Sequence, residues 1–197
     1  MTDVQIWVAP TYTGLADLLQ SSSDTVWDMP SLCEGWLVRH VVAHVTMPAR
    51  MTPESFGADM AAAGGDFTAF SNNVAARDGE LPVADLLAQL RSPQLHAWEP
   101  PRGGAAGALN HAVIHSLDIT VALDLGSVAP ADALADVLDR LTAAEGSVFG
   151  LDLSDVRLEA TDVSWSWGAG RVVRADSGSL VSLLAGRTLP DGTSLRP

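Results

Sequence analysis

The chain has 197 residues, 47% of them apolar, and a formal charge of −13 from 24 acidic and 11 basic residues. That length allows one sizeable core with a small appended unit, and the apolar content excludes general disorder. The acidic balance argues against nucleic acid or an anionic membrane as partner, and no apolar run approaches the roughly 20 residues needed to span a bilayer. Every basic residue is arginine, so Schiff-base lysine and P-loop chemistry are ruled out, and a GC-rich coding sequence is suggested. A single cysteine, Cys33, excludes an internal disulfide and any multi-cysteine metal site. The start, MTDVQIWVAP, lacks a basic region followed by an apolar core, so a cytoplasmic location is expected.

Residues 4–22 form the first helical candidate, with Pro10 early and Leu15, Leu18 and Leu19 on one side. SSSDTVWDMPSLCEG is a loop rich in turn formers that leads into Trp36. Residues 35–47, GWLVRHVVAHVTM, read as a helix ending at Pro48, with Leu37, Val41 and Val45 as its core stripe. On a helical wheel His44 falls between the Leu37 and Val41 directions and points inward, while His40 sits at the stripe's edge. Residues 53–78 continue in a looser helical pattern, interrupted at Gly64 and Gly65.

Residues 81–98 read as an amphipathic helix with Pro82 in its first turn, bent late by Pro93. His96, near its end, is a surface or capping residue. After EPPRGG, residues 103–126 make the central helix, started by small residues and stopped by a glycine. On it His111, His115 and Asp118 fall at i, i+4 and i+7 in one stripe, beside the apolar stripe of Ile114, Leu117, Val121 and Leu125. Residues 129–150 are a further helix, with Leu134, Val137, Leu138 and Leu141 inward and Asp132, Asp136 and Asp139 toward water. That acidic run lacks the ligand spacing and central glycine of an EF-hand loop. From residue 151 the character changes. VRLEATD, VSWSWG and RVVRAD read as small strands, SGSLVSLLAGR as a short helix and TLPDGTSLRP as a tail. The expectation is a mainly α protein, with a helical bundle over residues 1–150 and a small α+β module over residues 151–197.

The histidines carry the chemical signal. Two imidazoles four apart on a helix have Cβ atoms about 5–6 Å apart, which lets both reach one ion at about 2.0–2.1 Å. Taken alone, His111 and His115 read as core histidines satisfied by neighbouring carbonyls, or as a half-solvated face. The inward His44 changes that, because an unpaired polar ring inside a bundle is costly. Together the two helices can present three nitrogens to one ion. Three protein ligands with positions left open are the pattern of a catalytic site.

PSLCEGWLVRHVVAH resembles the loop and second helix of the DinB-like bundle proteins, in particular the mycothiol-dependent maleylpyruvate isomerase family. There a Gly-Trp-x-Val-Arg start precedes a helix ending in a metal-binding histidine, a position that falls on His44. HAVIHSLD resembles the family's later helix, whose ligand, histidine and following aspartate fall on His111, His115 and Asp118. Residues 156–187 resemble its small C-terminal module with the closing Gly-Arg, here Gly186 and Arg187. The isomerase branch often has glutamate at the position of His111 and aspartate at that of His40, and its tail is usually longer.

The resemblance implies a DinB-like four-helix bundle that binds a divalent metal through His44, His111 and His115. Zinc is the expected ion, with nickel or iron(II) as alternatives. It also implies an enzyme of the isomerase or S-transferase type that uses mycothiol as thiol cosubstrate against an electrophilic small molecule. A non-catalytic metal- or ligand-binding protein is the alternative, and structural histidines are a third reading. Asp118 is expected to orient a ligand imidazole or bound water, or else to be a surface aspartate in an ion pair. Arg187 is expected to clamp a substrate carboxylate, or to sit as a surface cation at a helix end. His40 is assigned to the neighbourhood of the ligands, Arg39 to a structural pairing with Glu34, and Cys33 to no catalytic role. Trp165 and Trp167 are assigned to packing.

Overall fold

The computed structural model describes residues 3–196. The described chain begins with a 3-10 turn (Val4–Trp7) in which the Gln5 amide donates to the Asp3 carboxylate, then runs into α1 (Val8–Ser21). Val8, Thr11, Tyr12, Leu15, Ala16 and Leu19 are its buried residues, one stripe at helical spacing. Pro10 sits in the first turn, where its missing N–H costs nothing.

The next helix, α2 (Val38–Val45), is shorter than the sequence suggests. Leu37 is extended and pairs with Pro30 in an isolated bridge, so the helix cannot begin before Val38. A 3-10 turn containing Pro48 stops it. α3 (Pro53–Ala62) and α4 (Phe67–Asp78) form a hairpin around Gly64 and Gly65, whose φ values of 67° and 80° favour glycine. α3 buries no residue, and Phe70 and Val74 of α4 form a satellite cluster with Met47.

The amphipathic stretch that follows is two helices, α5 (Val83–Leu90) and α6 (Pro93–Ala97). Pro93 begins a helix instead of bending one, because Ser92 caps the new N-terminus through the Leu95 amide. His96 is a capping residue, as expected: its ring nitrogen bonds the Leu90 carbonyl at the end of α5.

α7 (Gly104–Thr120) is the central element and packs against α1 and α2. It ends earlier than expected, in a turn where Asp124 takes a φ of 54°. α8 (Ala131–Ala143) follows, likewise shorter than its apolar pattern, and stops at Glu145 and Gly146, both at positive φ. Leu134, Val137, Leu138 and Leu141 are buried as read from sequence.

Three strands then form one sheet. β1 (Val156–Ala160) lies between β2 (Ser166–Gly168), antiparallel to it, and β3 (Arg171–Ala175), parallel to it. Leu158 and Val173 pair across β1 and β3 and point into the core. α9 (Ser177–Leu184), capped by Asp176, is buried along its whole length and packs on α7 and α8 as well as on the sheet. The last residues are no free tail: Leu189 and Leu195 are buried in the same core. The architecture is a mainly α helical bundle with a small C-terminal α+β portion. One apolar core runs through both, from Val4 to Leu195.

Candidate metal centre

His44 lies in the last turn of α2, and His111 and His115 lie one turn apart on α7. Each offers a ring nitrogen, and the three nitrogens lie within 4.8 Å of one another. The Nε2 atoms of His44 and His111 are 3.4 Å apart. Ring centroids are 4.9 Å apart for His44 and His115, 4.9 Å for His111 and His115, and 5.3 Å for His44 and His111. The i, i+4 spacing on α7 stacks two rings on one face, and the packing of α2 against α7 brings up the third.

The electrostatics keep His44 and His111 neutral. Burial, helped by the neighbouring His115, pushes the His44 pKa down to about 3. Burial and the other two rings likewise hold His111 well below the ordinary imidazole value. Neutral imidazoles keep a lone pair, which is what a metal ion requires.

Behind the rings the partners differ. His115 Nδ1 lies 2.8 Å from Asp118 Oδ2. An ionised carboxylate only accepts, so His115 donates from Nδ1. Asp118 is fully buried on α7 rather than exposed. Burial works against its charge, but hydrogen bonds from His115 and Arg187 outweigh that and hold its carboxyl well below the usual carboxylate range. Arg187 donates from Nε at 2.7 Å and Nη2 at 3.0 Å, and the Cys33 thiol donates at 3.0 Å. His111 Nδ1 lies 3.0 Å from the Tyr12 hydroxyl, and His44 Nδ1 is buried with no hydrogen-bond partner among the described residues.

The remaining sequence readings sort themselves on this frame. His40 is not among the converging rings; its Nδ1 accepts the Leu37 amide at the start of α2, a capping contact. Arg39 pairs with Asp28 and Glu80, not with Glu34, because the turn at Gly35 separates them. Arg187 is half-buried behind His115 with two nitrogens committed to Asp118. The surface-cation alternative therefore does not describe it. Trp165 and Trp167 pack against the core, and Trp165 also donates to Asp139.

Sequence reading missed three groups. Trp36 and Trp98 flank the centre, with ring centroids 5.2 Å from His44 and 5.4 Å from His111. Tyr12 looks like any apolar-stripe residue of α1. Cys33 joins the Asp118 hub through a loop, and Leu32 beside it donates its amide to the Asp118 carbonyl, a tertiary contact with no local signature.

The donor set fits a divalent ion. Three ring nitrogens converge, one of the rings has its far nitrogen without a hydrogen-bond partner among the described residues, and a buried carboxylate bonded to His115 supplies a compensating charge. A second group, Cys33, His115 and Asp118, also converges, but the Arg187 guanidinium already lies against its sulfur and carboxylate. A cleft of about 730 Å³ beside Leu117 and Leu189 holds none of these residues. Its carboxylates Asp162 and Asp176 are bound to Ser177 and Ser179.

Fold and site together define a DinB-like bundle protein with a three-histidine centre. The chain belongs to the mycothiol maleylpyruvate isomerase N-terminal domain family, which it matches over residues 8–120. Two solved structures share its fold. The crystal structure of the mycothiol-dependent maleylpyruvate isomerase has 20% sequence identity and a TM-score of 0.56, covering 98% of this chain and 95% of that one. A histidine-to-alanine mutant of that enzyme matches at 20% identity over the same shares, with a TM-score of 0.55. No curated protein matches the sequence.

Proposed function

We propose that this protein is a metal-dependent enzyme that uses a low-molecular-weight thiol, mycothiol, against an electrophilic small molecule. The observation that carries this reading is the convergence of three imidazoles on one point, one of them oriented by a buried carboxylate. The family and the isomerase named among the similar structures support the choice of thiol and reaction.

His44, His111 and His115 are the residues to hold the ion. A divalent ion there favours the thiolate form of a bound thiol, making it nucleophilic near neutral pH. Asp118 keeps the His115 proton on Nδ1, so that Nε2 faces the centre. Arg187 holds Asp118 ionised and ties the C-terminal portion to α7. Its Nη1 makes no hydrogen bond among the described residues, which leaves one donor for a substrate carboxylate. Trp36 and Trp98 narrow the approach with flat apolar walls. Thiolate addition to an electrophilic carbon yields an S-conjugate; addition, bond rotation and elimination yield an isomer and return the thiol. Residues 1–150 would carry the ligands, and residues 151–197 would close the centre through Arg187. No helix among the described residues is long and apolar enough to cross a membrane.

The test is elemental analysis of untagged protein, followed by assays with mycothiol and electrophiles headed by maleylpyruvate. About one ion per chain and thiol-dependent turnover, lost on chelation, is the expected result. Full metal with no turnover would favour the non-catalytic binding protein. No metal at all would leave the histidines structural.

A further inference from the structure

Tyr12 lies in the core with 2% of its surface exposed, and among the described residues its hydroxyl has one hydrogen-bond partner, His111 Nδ1. A phenylalanine would fill the same space without a buried hydroxyl to satisfy, so the oxygen needs a reason. We propose that Tyr12 is a positioning residue of the metal centre: its hydroxyl accepts the Nδ1–H of His111 and holds the tautomer whose Nε2 lone pair faces the other ligands. This rests on the metal-centre reading above.

The direction of that hydrogen bond follows from the neighbouring rings. His44 Nε2 and His111 Nε2 lie 3.4 Å apart, so both face the same point. Were Tyr12 the donor, His111 would carry its proton on Nε2, between the rings, where it would block a ligand position. With Tyr12 as acceptor, His111 carries Nδ1–H and its Nε2 lone pair faces the centre.

The three ligands are thus backed unequally. A carboxylate that can only accept stands behind His115, a hydroxyl stands behind His111, and among the described residues no hydrogen-bond partner stands behind His44.

Long-range ¹H–¹⁵N spectra of the metal-free full chain distinguish the two imidazole tautomers, and chromophoric chelator competition gives zinc affinity. Parent protein should show His111 as Nδ1–H. Tyr12→Phe should lose that preference and bind zinc about 10–100-fold more weakly, with its helical circular dichroism unchanged. A parent His111 in the Nε2–H form would overturn the proposal, whatever the zinc result. So would a Tyr12→Phe protein with the parent tautomer and zinc affinity within about twofold. A parent that binds no zinc would instead defeat the metal-centre reading, and the tautomer in the metal-free protein is read independently of it.

Discussion

Two buried arginine–aspartate hubs tie this molecule together, and they differ in what else they hold. At one, Asp78 of α4 takes Arg77 at 2.7 Å and Arg50 at 2.8 Å, and Arg50 reaches on to Thr46, Gln89 and the Ala43 carbonyl. Every partner there is structural, and the hub locks α4 and α5 onto the end of α2. At the other, Asp118 takes Arg187, the Cys33 thiol and a histidine of the converging trio. The same ion pair that fastens the C-terminal portion to α7 therefore also orients one of the converging imidazoles. A buried salt bridge is weak evidence for function by itself; the imidazole on the second hub gives it chemistry.

The sharpest break between the hubs is in metal content. His44→Ala, His111→Ala and His115→Ala should each reduce bound zinc from about one per chain to near none by elemental analysis. An Arg50→Met chain should keep it. Loss of metal in Arg50→Met as complete as in the histidine variants would erase the distinction.

Stability separates the hubs next. Arg187→Met leaves Asp118 buried beside a thiol with no cation, a cost of about 3–5 kcal/mol. Arg50→Met leaves Asp78 still paired with Arg77, so about 1–3 kcal/mol is expected. Urea midpoints measure both, and only the first change should also weaken zinc.

Removing each carboxylate charge sharpens the contrast further. Asp118→Asn should weaken zinc binding about 10–100-fold, and Asp78→Asn should leave it within about twofold. Asp78→Asn should be read out by acid instead. Burial alone would raise the Asp78 pKa, but hydrogen bonds from Arg77 and Arg50 outweigh it and the folded value lies below the ordinary one. The unfolded chain then binds the extra proton first, so this hub's contribution is present above about pH 4 and is lost as the pH falls through the folded value. Denaturation midpoints between about pH 2 and 5 should fall less steeply in Asp78→Asn than in the parent. The smallest effect is expected at His40→Ala. It removes a cap worth about 0.5–2 kcal/mol and leaves metal content unchanged.

The helices that carry the trio were legible because burial stamps its period on the sequence. His44 follows the Val41 and Val45 stripe, although Leu37, read as the first residue of that stripe, is half-buried before the helix and Val38 is buried instead; His111 and His115 share a face on α7. Helix ends were read too long wherever a local contact overrides apolar pattern: the Pro30 bridge before α2, the turn at Asp124 after α7, and Glu145 and Gly146 after α8. The partners of the ligands were mostly out of reach. Asp118 sits three residues from His115 and is visible by spacing, but Cys33 and Arg187 reach it across 85 and 69 positions. Tyr12 and His111 are 99 positions apart, and a core tyrosine in an apolar stripe announces nothing. Nor does sequence tell that Leu189 and Leu195 anchor what looks like a tail.

The central claim is that a thiol is activated at the three-histidine centre, and cobalt(II) reports on it directly. Cobalt accepts the same nitrogen ligands as zinc and absorbs visible light. Titrating mycothiol into the cobalt-loaded full chain should raise a sulfur-to-cobalt charge-transfer band in the near ultraviolet, at pH values well below the free thiol's pKa of roughly 8.5. His44→Ala should abolish the band with the bound cobalt. A cobalt-loaded protein that stays spectrally silent with mycothiol, while holding about one ion per chain, would contradict thiol activation and leave the centre to activate water or to serve structure alone.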